Sequence, residues 1–149
     1  MQRMNVAAAA PKAYQSLYGL ERFLRESALP QRTLHLVKLR ASQINGCAFC
    51  VEMHSHEAKK EGETDERLFT VAAWRDAPFY TDAERAALAL TEASTRLSDR
   101  PDPVPDEVWQ EAAEHYDEES LAALVVAIAA INAWNRISVT TRAVPGSYR

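Results

Sequence analysis

Two cysteines, Cys47 and Cys50, stand three residues apart in the run SQINGCAFCVEMHSH, which extends from Ser42 to His56. If the run is helical, at about 100° per residue, Cys47, Cys50 and His54 fall within an arc of about 60°. Cys50 and His54 are then neighbours at i, i+4, and the i, i+3 spacing of the cysteines permits a disulfide across one turn. Cys47 falls where the helix is expected to begin, and the unpaired N–H groups there favour a thiolate. An imidazole beside a thiol can take its proton or stabilise the thiolate as imidazolium. Two thiols and one histidine on one face are the minimum equipment for thiol peroxide chemistry. One thiolate attacks an O–O bond and becomes a sulfenic acid, and the second thiol condenses with it to a disulfide.

The same residues admit plainer readings. Zinc could be held by Cys47, Cys50 and His54, but a structural zinc site needs four ligands and usually a second cysteine or histidine pair. A c-type haem is excluded, because Val51 stands where C-x-x-C-H requires histidine. The cysteines could also be inert and buried. Glu52 lies about 140° and His56 about 180° around the helix from Cys47, so both should face away from it. His115 falls near the end of its helix, where a cation is favoured. Trp74, Phe79 and Tyr80 flank Pro78; they could line a peroxide pocket, although core or subunit packing is the plainer reading. Asn132 and Asn135 interrupt an apolar helix and should satisfy buried backbone or subunit contacts.

The run NGCAFCVEMH closely resembles the alkylhydroperoxidase D-like core of the carboxymuconolactone decarboxylase superfamily. The resemblance covers about residues 34–97, including AAWRDAPFYTDAERAALALTEA from Ala72 to Ala93. It implies an all-α fold, peroxidase or disulfide-reductase activity and no bound cofactor or metal. It also implies a homo-oligomer, trimer or hexamer. The implied partners are a small organic hydroperoxide and a thiol or dithiol reductant protein. By resemblance Cys50 attacks peroxide, Cys47 resolves and His54 belongs to a proton relay, whereas the helix-terminus argument alone favours Cys47 as the nucleophile. The best-known members carry a glutamate 12 positions before the first cysteine, and here that position is His35. Histidine relays protons near neutral pH, so His35 joins the candidate catalytic residues. A redox adaptor passing electrons to a partner protein is the main alternative. Lactone decarboxylation is the less expected inheritance, because that branch of the superfamily lacks the cysteine pair.

The elements that must position these residues are helical. The chain has 149 residues, enough to bury a core and suited to one domain over 1–149. It holds 26 alanines and only four glycines, no two of them closer than 16 positions. Alanine is the best helix former, and such sparse glycine excludes a P-loop and a dinucleotide fingerprint. A net charge of -4 argues against nucleic acid as a partner. The longest apolar run, Leu121 to Ile131, falls short of the roughly 18 residues that span a bilayer, and Val6 to Ala10 is too short for a signal-peptide core. These readings point to a cytoplasmic protein without a membrane partner. Periodicity and caps predict a compact bundle of about seven helices, over about 12–26, 31–44, 47–61, 64–74, 82–97, 106–116 and 120–139, with the last as the central buried one. The proline-rich stretch from Ser98 to Pro105 reads as a loop.

Overall fold

Alanine is the best helix former, and three of the four glycines stand at junctions with only Gly19 inside a helix, so helix meets little competition along most of the chain. In a computed structural model, which describes residues 1–148, eight α-helices follow one another and no strand occurs among the described residues. They are α1 Val6–Ala9, α2 Pro11–Glu26, α3 Gln31–Ile44, α4 Ala48–Lys60, α5 Asp65–Thr70, α6 Asp82–Thr95, α7 Asp106–His115 and α8 Glu118–Thr141. The expected seven are present, and α1 is an addition. Its four residues are too few for any periodicity; Asn5 caps it, accepting a hydrogen bond from the Ala8 N–H at 3.1 Å. The segment expected as one helix through Trp74 tightens at Val71–Ala73 into a single 3-10 turn.

Two helices share the centre. The apolar α8 buries Leu121, Leu124, Ile128 and Ile131. By length and composition it could cross a membrane, but in this fold it supplies core to α2, α3, α6 and α7. Helix α3 is the more enclosed of the two. Its Leu34 and Val37 enter one core with Leu24, Leu90, Leu124 and Ile128. Its Leu36 and Leu39 enter a second core with Ala58, Val71, Trp74 and Leu88. A helix apolar on two sides must be sandwiched, and α3 accordingly packs on α4, α6 and α8.

Buried ion pairs tie the shorter elements to this frame. Arg67 donates to Glu63 Oε1 at 2.8 Å, to Glu84 Oε2 at 3.0 Å and to the Phe79 carbonyl. Glu84 is also the third residue of the capping box that starts α6, accepting from the Thr81 N–H at 2.9 Å. A single carboxylate therefore begins a helix and neutralises a buried arginine. Burial opposes the charge on Glu63, but hydrogen bonds from Arg32 and Arg67 and from the Thr64 N–H outweigh it and hold the carboxyl down to about 2. Arg85 closes the loop after Trp74, donating to the carbonyls of Trp74, Ala77 and Tyr80.

Truncating Arg67 to alanine leaves Glu63 and Glu84 as buried anions with one arginine fewer between them. Such a loss costs about 3–5 kcal/mol, read as a lowered midpoint in urea unfolding. A change below about 1 kcal/mol would show that the network contributes little.

Candidate active site

The turn from α3 into α4 is built by backbone geometry that glycine makes possible. Gly46 takes φ +65°, the left-handed conformation that ends many helices. The Gly46 N–H donates to the Gln43 carbonyl at 3.2 Å, and the Cys47 N–H to the Ser42 carbonyl at 3.0 Å. This pair of bonds is the Schellman closure of a helix C-terminus. Cys47 is at once the N-cap of α4, and its sulfur accepts a hydrogen bond from the Cys50 N–H at 3.3 Å. One residue therefore ends one helix and caps the next.

Side chains from α8 fix this turn in place. Asn45 Nδ2 donates to Asn132 Oδ1 and to Asn135 Oδ1, both at 2.9 Å. Asn135 Nδ2 donates to Ser42 Oγ at 3.0 Å, and Asn132 Nδ2 to Thr95 Oγ1 at 3.1 Å. The two asparagines that interrupt the apolar pattern of α8 thus lock the junction that carries the cysteines.

Cys47 and Cys50 are joined by a disulfide, with their Cα atoms 5.3 Å apart, a separation that a disulfide spans readily. Both residues are buried, yet they differ in what they face. Cys50 lines a cavity of about 210 Å³, together with His54 and Glu57 one and two turns further along α4; Cys47 is not among its lining residues. Tyr14 and Tyr18 of α2 and Trp134 of α8 form an aromatic wall, with Tyr14 and Trp134 edge-to-face at 4.9 Å between ring centroids. Tyr148, beyond the last helix, lines the same cavity and packs edge-to-face on Phe49 at 5.6 Å.

The electrostatics of the cavity come from three helices. His54 Nδ1 contacts Glu57 Oε2 at 3.1 Å. Burial pushes the His54 imidazole below its ordinary value, and the Glu57 hydrogen bond opposes this without overcoming it. The bond to His54 is also the main cause of a lowered Glu57 carboxyl. Glu57 is half exposed and His54 is buried, so the pair leads from solvent to the Cys50 wall. On the α2 side, Glu21 accepts a hydrogen bond from Trp134 Nε1 at 3.1 Å and an ion pair from the buried Lys38.

Of the four residues singled out in the sequence, Cys47, Cys50 and His54 are brought together, and His35 is not. His35 Nε2 pairs with Glu61 Oε2 at 2.8 Å, and the side chain lines a separate cavity with Arg32, Ala58 and Gly62. The reason is the antiparallel pairing of α3 and α4 about Gly46. Counting outward from that turn, Lys38 is level with His54 and position 35 with Glu57, so His35 stands two turns beyond Cys50 and turns to Glu61. His35 reaches the site only through its field at Glu57. Glu52, as expected, faces away from the cavity, and its Oε2 accepts from the Gly146 N–H at 3.1 Å. Trp74 and Tyr80 are core residues, and Phe79 is exposed. No cluster of histidine, cysteine or acidic residues suited to a metal occurs among the described residues.

Sequence reasoning missed Glu21, Lys38, Glu57 and Trp134. Only Glu57 carried a local signal, since it lies at i+3 from His54 on the same helix. The others arrive from α2, α3 and α8, whose approach to α4 no local pattern encodes.

Known proteins share this arrangement. The model of the carboxymuconolactone decarboxylase family matches residues 8–93. An uncharacterised Bacillus subtilis protein, YdfG, is 41% identical over 138 residues, 93% of this chain and 92% of its own. The crystal structure of an Agrobacterium tumefaciens protein of unknown function, described as a candidate AhpD antioxidant defence protein, superposes with a TM-score of 0.92 at 39% identity; it covers 97% of this chain and 98% of that one. The debrominase Bmp8 shares the fold with a TM-score of 0.83 at 23% identity, covering 94% of this chain and 74% of its own. With a family match over more than half its length and a near full-length AhpD-like structural counterpart, the chain belongs to the carboxymuconolactone decarboxylase family, in its AhpD-like branch.

Proposed function

We propose that the protein is a thiol-dependent hydroperoxidase that reduces small organic hydroperoxides through Cys47 and Cys50. The observation that carries this reading is the shared wall of one cavity: Cys50 and His54 both line it, and the second cysteine is already bonded to Cys50 behind it. In the reduced protein, His54 is the base that takes the Cys50 proton. The Cys50 thiolate attacks the distal peroxide oxygen, the O–O bond breaks, and the alkoxide leaves as the alcohol with a proton from His54. Cys50 is then a sulfenic acid. The Cys47 thiol attacks its sulfur, the thiol proton joins the departing hydroxide as water, and the disulfide forms. A thiol or dithiol reductant restores the pair. The aromatic wall suits an organic rather than a purely aqueous substrate, and Glu57 gives His54 a path for protons to solvent.

A cytoplasmic setting suits a pair that must return to the dithiol form. The apolar side chains of Leu20, Phe23 and Val125 are partly exposed, which favours assembly into a homo-oligomer, trimeric or hexameric.

Three measurements test these proposals. Cys50→Ser abolishes turnover of an organic hydroperoxide with a dithiol donor. Cys47→Ser stops after about one equivalent of peroxide and leaves a sulfenic acid at Cys50 that dimedone captures. Unchanged turnover in both variants contradicts the hydroperoxidase reading. In the pH profile of kcat/KM for peroxide, activity rises as His54 loses its proton, so the acid limb lies below the ordinary imidazole value of 6.5. Glu57→Gln removes groups that hold the His54 proton and moves that limb lower still; a limb moving upward contradicts the base assignment. Light scattering should give a mass well above 16.6 kDa, and a monomeric mass at micromolar concentration contradicts assembly.

A further inference from the structure

The Cys47–Cys50 disulfide is asymmetric in three respects. Cys50 lines the cavity and Cys47 does not, although both are buried. Cys47 caps α4 and takes the Cys50 N–H on its sulfur, so a negative charge arising there meets a helix N-terminus of 13 residues. Cys47 is also tied into the α3 closure through its backbone, where its N–H donates to the Ser42 carbonyl. An attacking thiol needs access to one sulfur and a stable thiolate on the other. The two requirements are divided between the two cysteines, each on the appropriate side.

We propose that the reductant attacks Cys50, not Cys47, and that it does so through the same cavity that admits the oxidising substrate. The proposal rests on the thiol-cycling part of the proposed function and adds the direction of the reducing half-reaction. A donor thiolate bonds to Cys50 Sγ, the Cys47–Cys50 bond breaks, and its electron pair goes to Cys47 as a capped thiolate. A second donor thiol then attacks the donor sulfur of this mixed disulfide. Cys50 leaves as a thiolate beside His54, and the donor departs as its own disulfide, having given up two electrons and two protons. Cys47 never meets the donor. Because one sulfur in one cavity serves both half-reactions, donor and peroxide exclude each other. Excess dithiol therefore inhibits turnover at low peroxide, and excess peroxide inhibits it at low dithiol. Met53, on the cavity wall between Cys50 and His54, becomes a gate for both.

The test uses the oxidised full-length protein without peroxide, so it remains readable even if the hydroperoxidase reading fails. A brief exposure to 2-mercaptoethanol is quenched with acid and an alkylating reagent, and peptide mass spectrometry locates the adduct. The expected result is the mercaptoethanol adduct on Cys50 and the alkyl group on Cys47. An adduct on Cys47 overturns the proposal. Separately, Met53→Trp fills the cavity and should slow reduction of the disulfide by dithiothreitol at least tenfold, with circular dichroism confirming unchanged helicity. A rate within twofold of the unsubstituted protein in a folded variant overturns the shared entrance. Failure of peroxide to oxidise the reduced protein, with the Cys50 adduct still found, refutes the peroxidase reading and leaves the route of reduction standing.

Discussion

Cys47 belongs to two helices at once, and the site depends on that double membership. Its N–H closes α3 and its sulfur caps α4. A hydroxyl or carboxylate is the usual group at such a position; a sulfur serves here and is also bonded to Cys50. The turn has no freedom to spare, since Gly46 must be left-handed and Asn45 is held by two asparagines of α8. Cys50 and His54 then follow from helical geometry alone. The chemistry is therefore as rigid as the α3–α4 junction, and the junction is as rigid as its hold on α8.

The cavity wall obeys a different economy. Glu21 and Lys38 are both largely buried and neutralise each other, and Glu21 also receives the Trp134 N–H. Placing a charged pair beside an aromatic wall is costly unless both partners are satisfied. Here the satisfied pair fixes α2 to α3 and α8 around the cavity and sets its width. The second buried network, centred on Arg67, does comparable work far from the thiols by holding α5 to the start of α6.

Much of this was legible in the chain. The helices over 11–26, 31–44 and 106–115 stand close to their expected bounds, because proline, Asn45–Gly46 and acidic first turns mark their ends. The grouping of Cys47, Cys50 and His54 follows from spacing, because all three lie on or beside one helix. His35 shows the limit of such reasoning. Its place in the chain is where the family resemblance implies a glutamate, but its position along α4 sends it to Glu61. Whether two helices align a turn higher or lower is decided by their junction and their shared core, and neither leaves a mark within α3 itself. Glu21 and Trp134 lie further still beyond local pattern, since they meet only through the packing of α2 on α8. The expectation that α8 would occupy the centre understates α3, whose apolar residues lie on two sides and enter both cores.

The part of the cavity wall contributed by Tyr148 has a separate consequence. Tyr148 follows the last helix and packs its ring on Phe49, and the nearby Gly146 N–H donates to Glu52. No helical register or core packing constrains what stands there. Exchanging such a side chain reshapes the chamber around Cys50 while sparing the helical frame, so the shape of the chamber is separable from the stability of the bundle.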